Sequence, residues 1–220
     1  APIRNAVSIL QMEPAPSPTL RSCRDMIDRQ LSHLTRLVDD LLDAGRLTGG
    51  KIRIRPQRVS FNSTSAQAAE ATRPLMDARG HKFSLELPAE EIWVHADGTR
   101  LAQVIQNLLG NAAKFTPDGG CISLVAWLEG SLLKVEVRDN GEGFEPQAAE
   151  RLFELFTQGD GSRPIREGGL GIGLSLARSL VEMHGGTMSG RSEGPGKGSV
   201  FSFALPGAGA IRRPGRAEGS

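Results

Sequence analysis

Tyrosine is absent from the 220 residues and cysteine occurs twice. No apolar run approaches the roughly 18 to 20 residues that a membrane-crossing helix needs. Each shortage removes a class of chemistry. Without tyrosine there is no phenolic hydroxyl to serve a binding site. Cys23 and Cys121 stand far apart and lack metal-ligand spacing, so both read as reduced core thiols. Charge of one sign is also missing: 26 basic residues face 25 acidic ones, which argues against a nucleic-acid surface. No stretch reads as a secretory signal. A cytoplasmic chain with no membrane contact of its own is expected.

What the chain does have is glycine in two telling places. Asp139-Asn140-Gly141-Glu142-Gly143-Phe144 follows an alternating strand pattern over Leu132 to Val137. A carboxylate at that strand end can accept from an exocyclic amine, while Gly141 and Gly143 let backbone approach a ring. Further on, Gly168-Gly169-Leu170-Gly171-Ile172-Gly173 opens a helix whose N-terminal amides suit phosphates. Together the two segments describe a nucleotide pocket.

Between Asp97 and Thr116 the period is helical, with Leu101, Val104, Ile105, Leu108, Leu109 and Ala112 on one side. Gln103, Asn107, Asn111 and Lys114 stand at i, i+4, i+8 and i+11, which confines them to an arc of roughly 80°. Solvated helix faces usually carry Glu, Lys and Arg, which propagate a helix better than Asn. An acid-free carboxamide stripe ending in lysine is therefore a second candidate surface of the pocket.

Elsewhere the order is mixed. A short helical stretch at Ala1 to Met12 and a proline-rich turn precede a long helix from Leu20 to about Leu47. Its Ile27, Leu31, Leu34, Val38 and Leu41, broadened by Leu37 and Leu42, form a bundle seam. One chain supplies only two such helices, so a homodimer is expected. After Gly49-Gly50 comes a linker to Ser60 with alternating Ile52 and Ile54. Helices at 62–79, 146–153 and 172–183 then intersperse with strands near 82–87, 92–96, 121–128, 131–138, 187–192 and 199–204. That order predicts an α+β fold, a two-layer sandwich with helices on one face of a mixed sheet. Residues 207–220 have little to bury and read as a disordered tail.

The Asn-Leu-Leu-Gly-Asn-Ala-Ala-Lys-Phe helix at 107–115, the Asp139 box, Phe153 and Phe156, the 168–173 glycines and Gly196-Lys197-Gly198-Ser199-Val200-Phe201 occur in that order. In this the chain resembles the catalytic, ATP-binding domain of sensor histidine kinases over roughly 61–206. Ala1 to Ala6 is similar to the residues directly after the phosphoacceptor motif on the first dimerisation helix, and Leu31 to Leu47 to the second helix. The resemblance implies a Bergerat-type ATP-binding fold preceded by a partial dimerisation hairpin at 1–48 and a linker at 49–60.

It also implies roles. Asp139 receives the adenine amino group; guanine presents a carbonyl oxygen there, so ATP is favoured. Asn111 binds Mg²⁺ through its side-chain oxygen with Asn107 in support. Lys114 offers charge to a phosphate, and Phe115 an apolar face near the base, where relatives often have tyrosine. The remaining cofactor-binding set is Gly141, Gly143, Gly169, Leu170, Gly171, Ile172, Gly173 and Ser199. Gly159 to Gly169, with Arg163 and Arg166, resembles a mobile lid. Phe153 and Phe156 read as core.

Implied partners are a response-regulator receiver domain and a phosphoacceptor histidine upstream of Ala1, so this chain alone is expected to bind ATP without phosphorylating itself. His33 lacks the acceptor pattern and reads as structural; His81, His95 and His184 have no acid partner in sequence. Related ATPases place a glutamate where Asn107 stands, and a neutral amide cannot take a proton from water. A nucleotide-hydrolysing ATPase, an anti-sigma-like serine kinase and an ATP-dependent interaction module are the competing functions. Gly194 to Ser199 imitates a phosphate loop but lacks the strand-to-helix context, and the 169–173 glycines do not fit the dinucleotide fingerprint.

Overall fold

The computed structural model describes residues 52–157 and 170–211, with scattered positions between 20 and 49. Its strands are β1 (Gln57–Ser60), β2 (Lys82–Glu86), β3 (Glu91–Ala96), β4 (Cys121–Glu129), β5 (Leu132–Asp139), β6 (Thr187–Arg191), β7 (Ser199–Leu205) and β8 (Gly209–Ile211). Its helices are α1 (Phe61–Asp77), α2 (Gly98–Phe115) and α3 (Gly173–Met183). Five strands form a mixed sheet in the order β2-β4-β5-β7-β6, where only β2 and β4 run parallel. A smaller antiparallel sheet has the order β1-β3-β8. Among the described residues no helix is long and apolar enough to cross a membrane.

The layering arises from the two periodicities. Along β5, Leu133, Val135 and Val137 are buried, and a strand's two-residue alternation puts Asp139 on their face. Ile122, Leu124 and Ala126 of β4 and Phe201, Phe203 and Leu205 of β7 join them in one core. Leu101, Val104, Ile105, Leu108 and Leu109 of α2 and Leu176, Leu180 and Val181 of α3 cover that core from above. The expected α+β sandwich is thus present.

Four expectations change. The same alternation that buries Ile122 leaves Cys121 exposed, so it is not a core thiol; Cys23 lies outside the described residues. The linker ends early, because Gln57–Ser60 pairs with Trp93–Ala96. The start of the expected tail is β8, whose Gly209, Ala210 and Ile211 pair with Trp93, Ile92 and Glu91. The helix expected at 146–153 is two single 3₁₀ turns, Pro146–Ala148 and Arg151–Phe153. The hairpin falls mostly outside the described residues, although Ile27, Leu34, Val38, Leu41 and Leu42 are helical and exposed.

Asp97 anchors the start of α2. Its Oδ1 accepts from the amides of Thr99 (3.1 Å) and Arg100 (3.2 Å), and its Oδ2 from Arg55 (2.9 Å). Partial burial pushes the carboxyl up, but those amides and the Arg100 charge outweigh it and hold Asp97 below the ordinary carboxylate range. His184 at the end of α3 meets the same corner: its Nε2 accepts from the Asp97 amide (2.9 Å), while Nδ1–H donates to the Leu180 carbonyl (2.7 Å). Asp97→Ala should cost about 1 kcal/mol in urea unfolding at neutral pH. A depressed folded pKa contributes stability above the unfolded value and loses it as pH falls through the folded one. The gap between parent and variant should therefore close in acid; a constant gap would deny the carboxylate its role.

Candidate functional site

The C-terminal half of α2, the box after β5 and the start of β7 meet at one end of the sheet. Asp139 faces Ser199 across the β5–β7 pairing. Its Oδ1 accepts from the amides of Gly141 (2.8 Å) and Ser199 (3.3 Å), and its Oδ2 takes a short hydrogen bond from the Ser199 hydroxyl. A carboxylate held by three donors is fixed in orientation and keeps one acceptor site, on Oδ2, for a ligand donor. The structure therefore joins Asp139 and Ser199, which the sequence relates only through resemblance.

Gly141 is where α2 and the box touch. The Glu142 amide donates to the Phe115 carbonyl (2.9 Å), and a Cβ on Gly141 would lie 2.4 Å from that same oxygen. Only glycine permits this approach. Phe115 is 44% exposed, and the Lys114 ammonium lies 4.6 Å from its ring centroid. Behind them Arg79 secures the end of α2: its Nη1 donates to the carbonyls of Ala113 (2.6 Å) and Lys114 (2.8 Å), and its Nε to Asp118 (2.8 Å). Nothing in the local pattern of the turn after α1 announces that clamp, since it spans more than thirty residues of sequence.

Two turns back along α2, the side-chain Nδ2 of Asn107 donates to the Gly173 carbonyl (3.1 Å), tying the carboxamide stripe to the start of α3. Asn111 is half-buried on the same stripe. The N-cap of α3 is Ile172, buried and without a side-chain cap, so the first amides of the helix are left to other partners. Leu170 is half-buried, and the Gly171 carbonyl accepts from the Phe156 amide (3.2 Å). Gly169, Arg163 and Arg166 lie outside the described residues.

The Phe pair divides. Phe153 is buried and meets Phe201 edge-on at 6.1 Å, as expected. Phe156 is 58% exposed with φ 64°, so the core reading fails for it. Its backbone amide, spent on Gly171, is its visible contribution.

The turn between β6 and β7 has strand-turn-strand context, which agrees with its exclusion as a phosphate loop. It nevertheless walls the box: the Gly196 amide donates to the Glu142 carbonyl (2.6 Å) and the Gly198 amide to the Gly141 carbonyl (3.0 Å). Its glycine density is the one sequence signal of that role.

Residues 96–209 match the histidine kinase-, DNA gyrase B- and HSP90-like ATPases. The chain belongs to that family, as a catalytic ATP-binding domain of the histidine kinase type. The autoinducer 2 sensor kinase/phosphatase LuxQ of Vibrio parahaemolyticus is 33% identical over 83% of this chain. The adaptive-response sensory kinase SasA of Thermosynechococcus vestitus is 35% identical over 80% of it. Full-length ShkA in complex with AMPPNP is similar in structure, with TM-score 0.72 and 30% identity over 94% of this chain and 43% of that one. This chain spans 22% of LuxQ and 46% of SasA.

Proposed function

We propose that this chain is the ATP-binding catalytic part of a two-component sensor histidine kinase, which moves the γ-phosphoryl group of ATP to a histidine and thence to an aspartate of a response-regulator receiver domain. The observation that carries the reading is the acid-free stripe on α2. Where a water-activating carboxylate would stand, the Asn107 amide is already engaged with Gly173. A neutral carboxamide cannot serve as general base, so the phosphoryl group is kept for a better nucleophile. In the transfer the P–O bond to ADP breaks, a P–N bond to an imidazole nitrogen forms, and that nitrogen sheds its proton.

The residues divide the work. Asp139, with Ser199 beside it, receives the adenine amino group; Phe115 flanks the base; Lys114 and the first amides of α3 meet the phosphates. The donor set fits Mg²⁺ brought in with the nucleotide. Among the described residues no cluster of three acidic, histidine or cysteine side chains could cage a cation, and Mg²⁺ commonly takes one or two protein oxygens alongside phosphates and water. Asn111 would hold it, with Asn107 in support, and a cation bound there would supply positive charge to offset that of the phosphates. The exposed apolar residues Ile27, Leu34, Val38, Leu41 and Leu42 support pairing of the helical segment with a second copy.

Transfer of labelled γ-phosphate tests the whole reading. With Mg²⁺, ATP and a separately supplied dimerisation domain carrying its acceptor histidine, label should appear that survives alkali and is lost in acid, then pass to a receiver aspartate. Asn111→Ala should still bind ADP but lose the gain in affinity that Mg²⁺ confers on ATP. Release of free phosphate instead would make the chain a nucleotide-hydrolysing ATPase. Acid-stable label would make it a serine kinase, and label abolished by His33→Ala would move the acceptor to a residue outside those described.

A further inference from the structure

The turn between β6 and β7 is organised around one hydroxyl. Ser192 Oγ accepts from the amides of Phe144 (3.1 Å) and Gly194 (3.2 Å) and donates to the Gly198 carbonyl (2.7 Å). It thus joins three segments: the end of the Asp139 box at Phe144, the tip of the turn at Gly194, and the residue before Ser199. The space admits little else, because a Cβ on Gly143 would stand 2.8 Å from that oxygen and 2.4 Å from the Gly194 carbonyl. Ser192 is half-buried.

The consequence runs to the base-recognising carboxylate. Gly198 directly precedes Ser199, whose amide and hydroxyl hold Asp139. The Gly198 and Gly196 amides hold the Gly141 and Glu142 carbonyls. A single hydroxyl therefore braces both sides of Asp139: the box C-terminal to it and the strand start that opposes it.

We infer that Ser192 is a positioning residue for nucleobase selection, fixing Asp139 and Ser199 in the orientation that prefers an exocyclic amine over a carbonyl oxygen. The inference rests on Asp139 being the base contact. Without the brace, the Asp139–Ser199 pair gains freedom to turn. Adenine then loses an aligned acceptor, while guanine, poorly matched to the fixed carboxylate, loses less.

Titration calorimetry of ATP and GTP against the parent chain and Ser192→Ala separates the possibilities. The ATP-over-GTP preference should fall by about three- to tenfold in Ser192→Ala, the loss of one well-placed hydrogen bond. Mere loss of folded protein would scale both nucleotides together and leave the ratio unchanged. Ser192→Thr, which keeps the hydroxyl, should retain most of the preference. If Ser192→Ala does not fold, Ser192→Cys, of similar volume with a weaker acceptor, is read the same way. A parent chain without preference overturns the assignment of Asp139 and this inference with it. A preference present in the parent and unchanged in the variant overturns the role of Ser192 alone.

Discussion

Asp139→Ala should bind ATP about 10- to 150-fold more weakly than the parent chain, the equivalent of a charge-assisted hydrogen bond of roughly 1.5 to 3 kcal/mol. The carboxylate is held by the Gly141 and Ser199 amides and the Ser199 hydroxyl, so its removal also releases the box and the start of β7 from one another. Asp139→Asn distinguishes the two effects. It keeps an acceptor oxygen for the local amides but introduces a carboxamide NH₂, which can donate to the guanine carbonyl. ATP affinity should fall and the gap to GTP should narrow. Calorimetry that finds ATP and GTP bound equally by the parent, or no loss in Asp139→Ala, would remove Asp139 from the base site.

Much of this site was legible because it obeys the two simple periods. The helical period of Leu101, Val104, Ile105, Leu108 and Leu109 left the Asn107, Asn111 and Lys114 stripe on the remaining face, and α2 has that burial. Alternation along Leu133, Val135 and Val137 put Asp139 on the helix-facing side of the sheet, where it lies beside Ser199. Period carries no information about turns. Phe153 and Phe156 looked equivalent, but three residues after a buried position the chain has entered an irregular segment, and Phe156 turns outward with positive φ. Strand β8 is three residues long and is defined by its pairing with β3 more than a hundred residues earlier, too little pattern to separate from a tail. The Arg79 clamp and the Ser192 brace are likewise contacts between distant segments, visible only after the strands are in register.

Gly198 offers the most severe test of that register. It adopts φ 72°, where an L residue costs about 1 to 2 kcal/mol. A Cβ there would stand 2.1 Å from the Asp139 carbonyl oxygen and 2.9 Å from Asn140 Cα. Both are backbone atoms, so no rotamer change relieves them; the end of β5 or the start of β7 must move, at about 1 to 3 kcal/mol more. Gly198→Ala should therefore lose about 2 to 5 kcal/mol of unfolding free energy, and its folded fraction should have lost the alignment of Asp139 with Ser199 and with it measurable ATP binding. Gly196→Ala is the matched control. Its φ is 77°, but nothing lies within 4 Å of the added carbon, so only the conformational cost of about 1 to 2 kcal/mol applies and ATP affinity should stay within about twofold. Urea unfolding and calorimetry on the two variants compare crowding at equal backbone strain. Equal losses in stability and binding would mean that the contact between the turn and the Asp139 carbonyl does not form the wall of the site, because strain alone would then account for both.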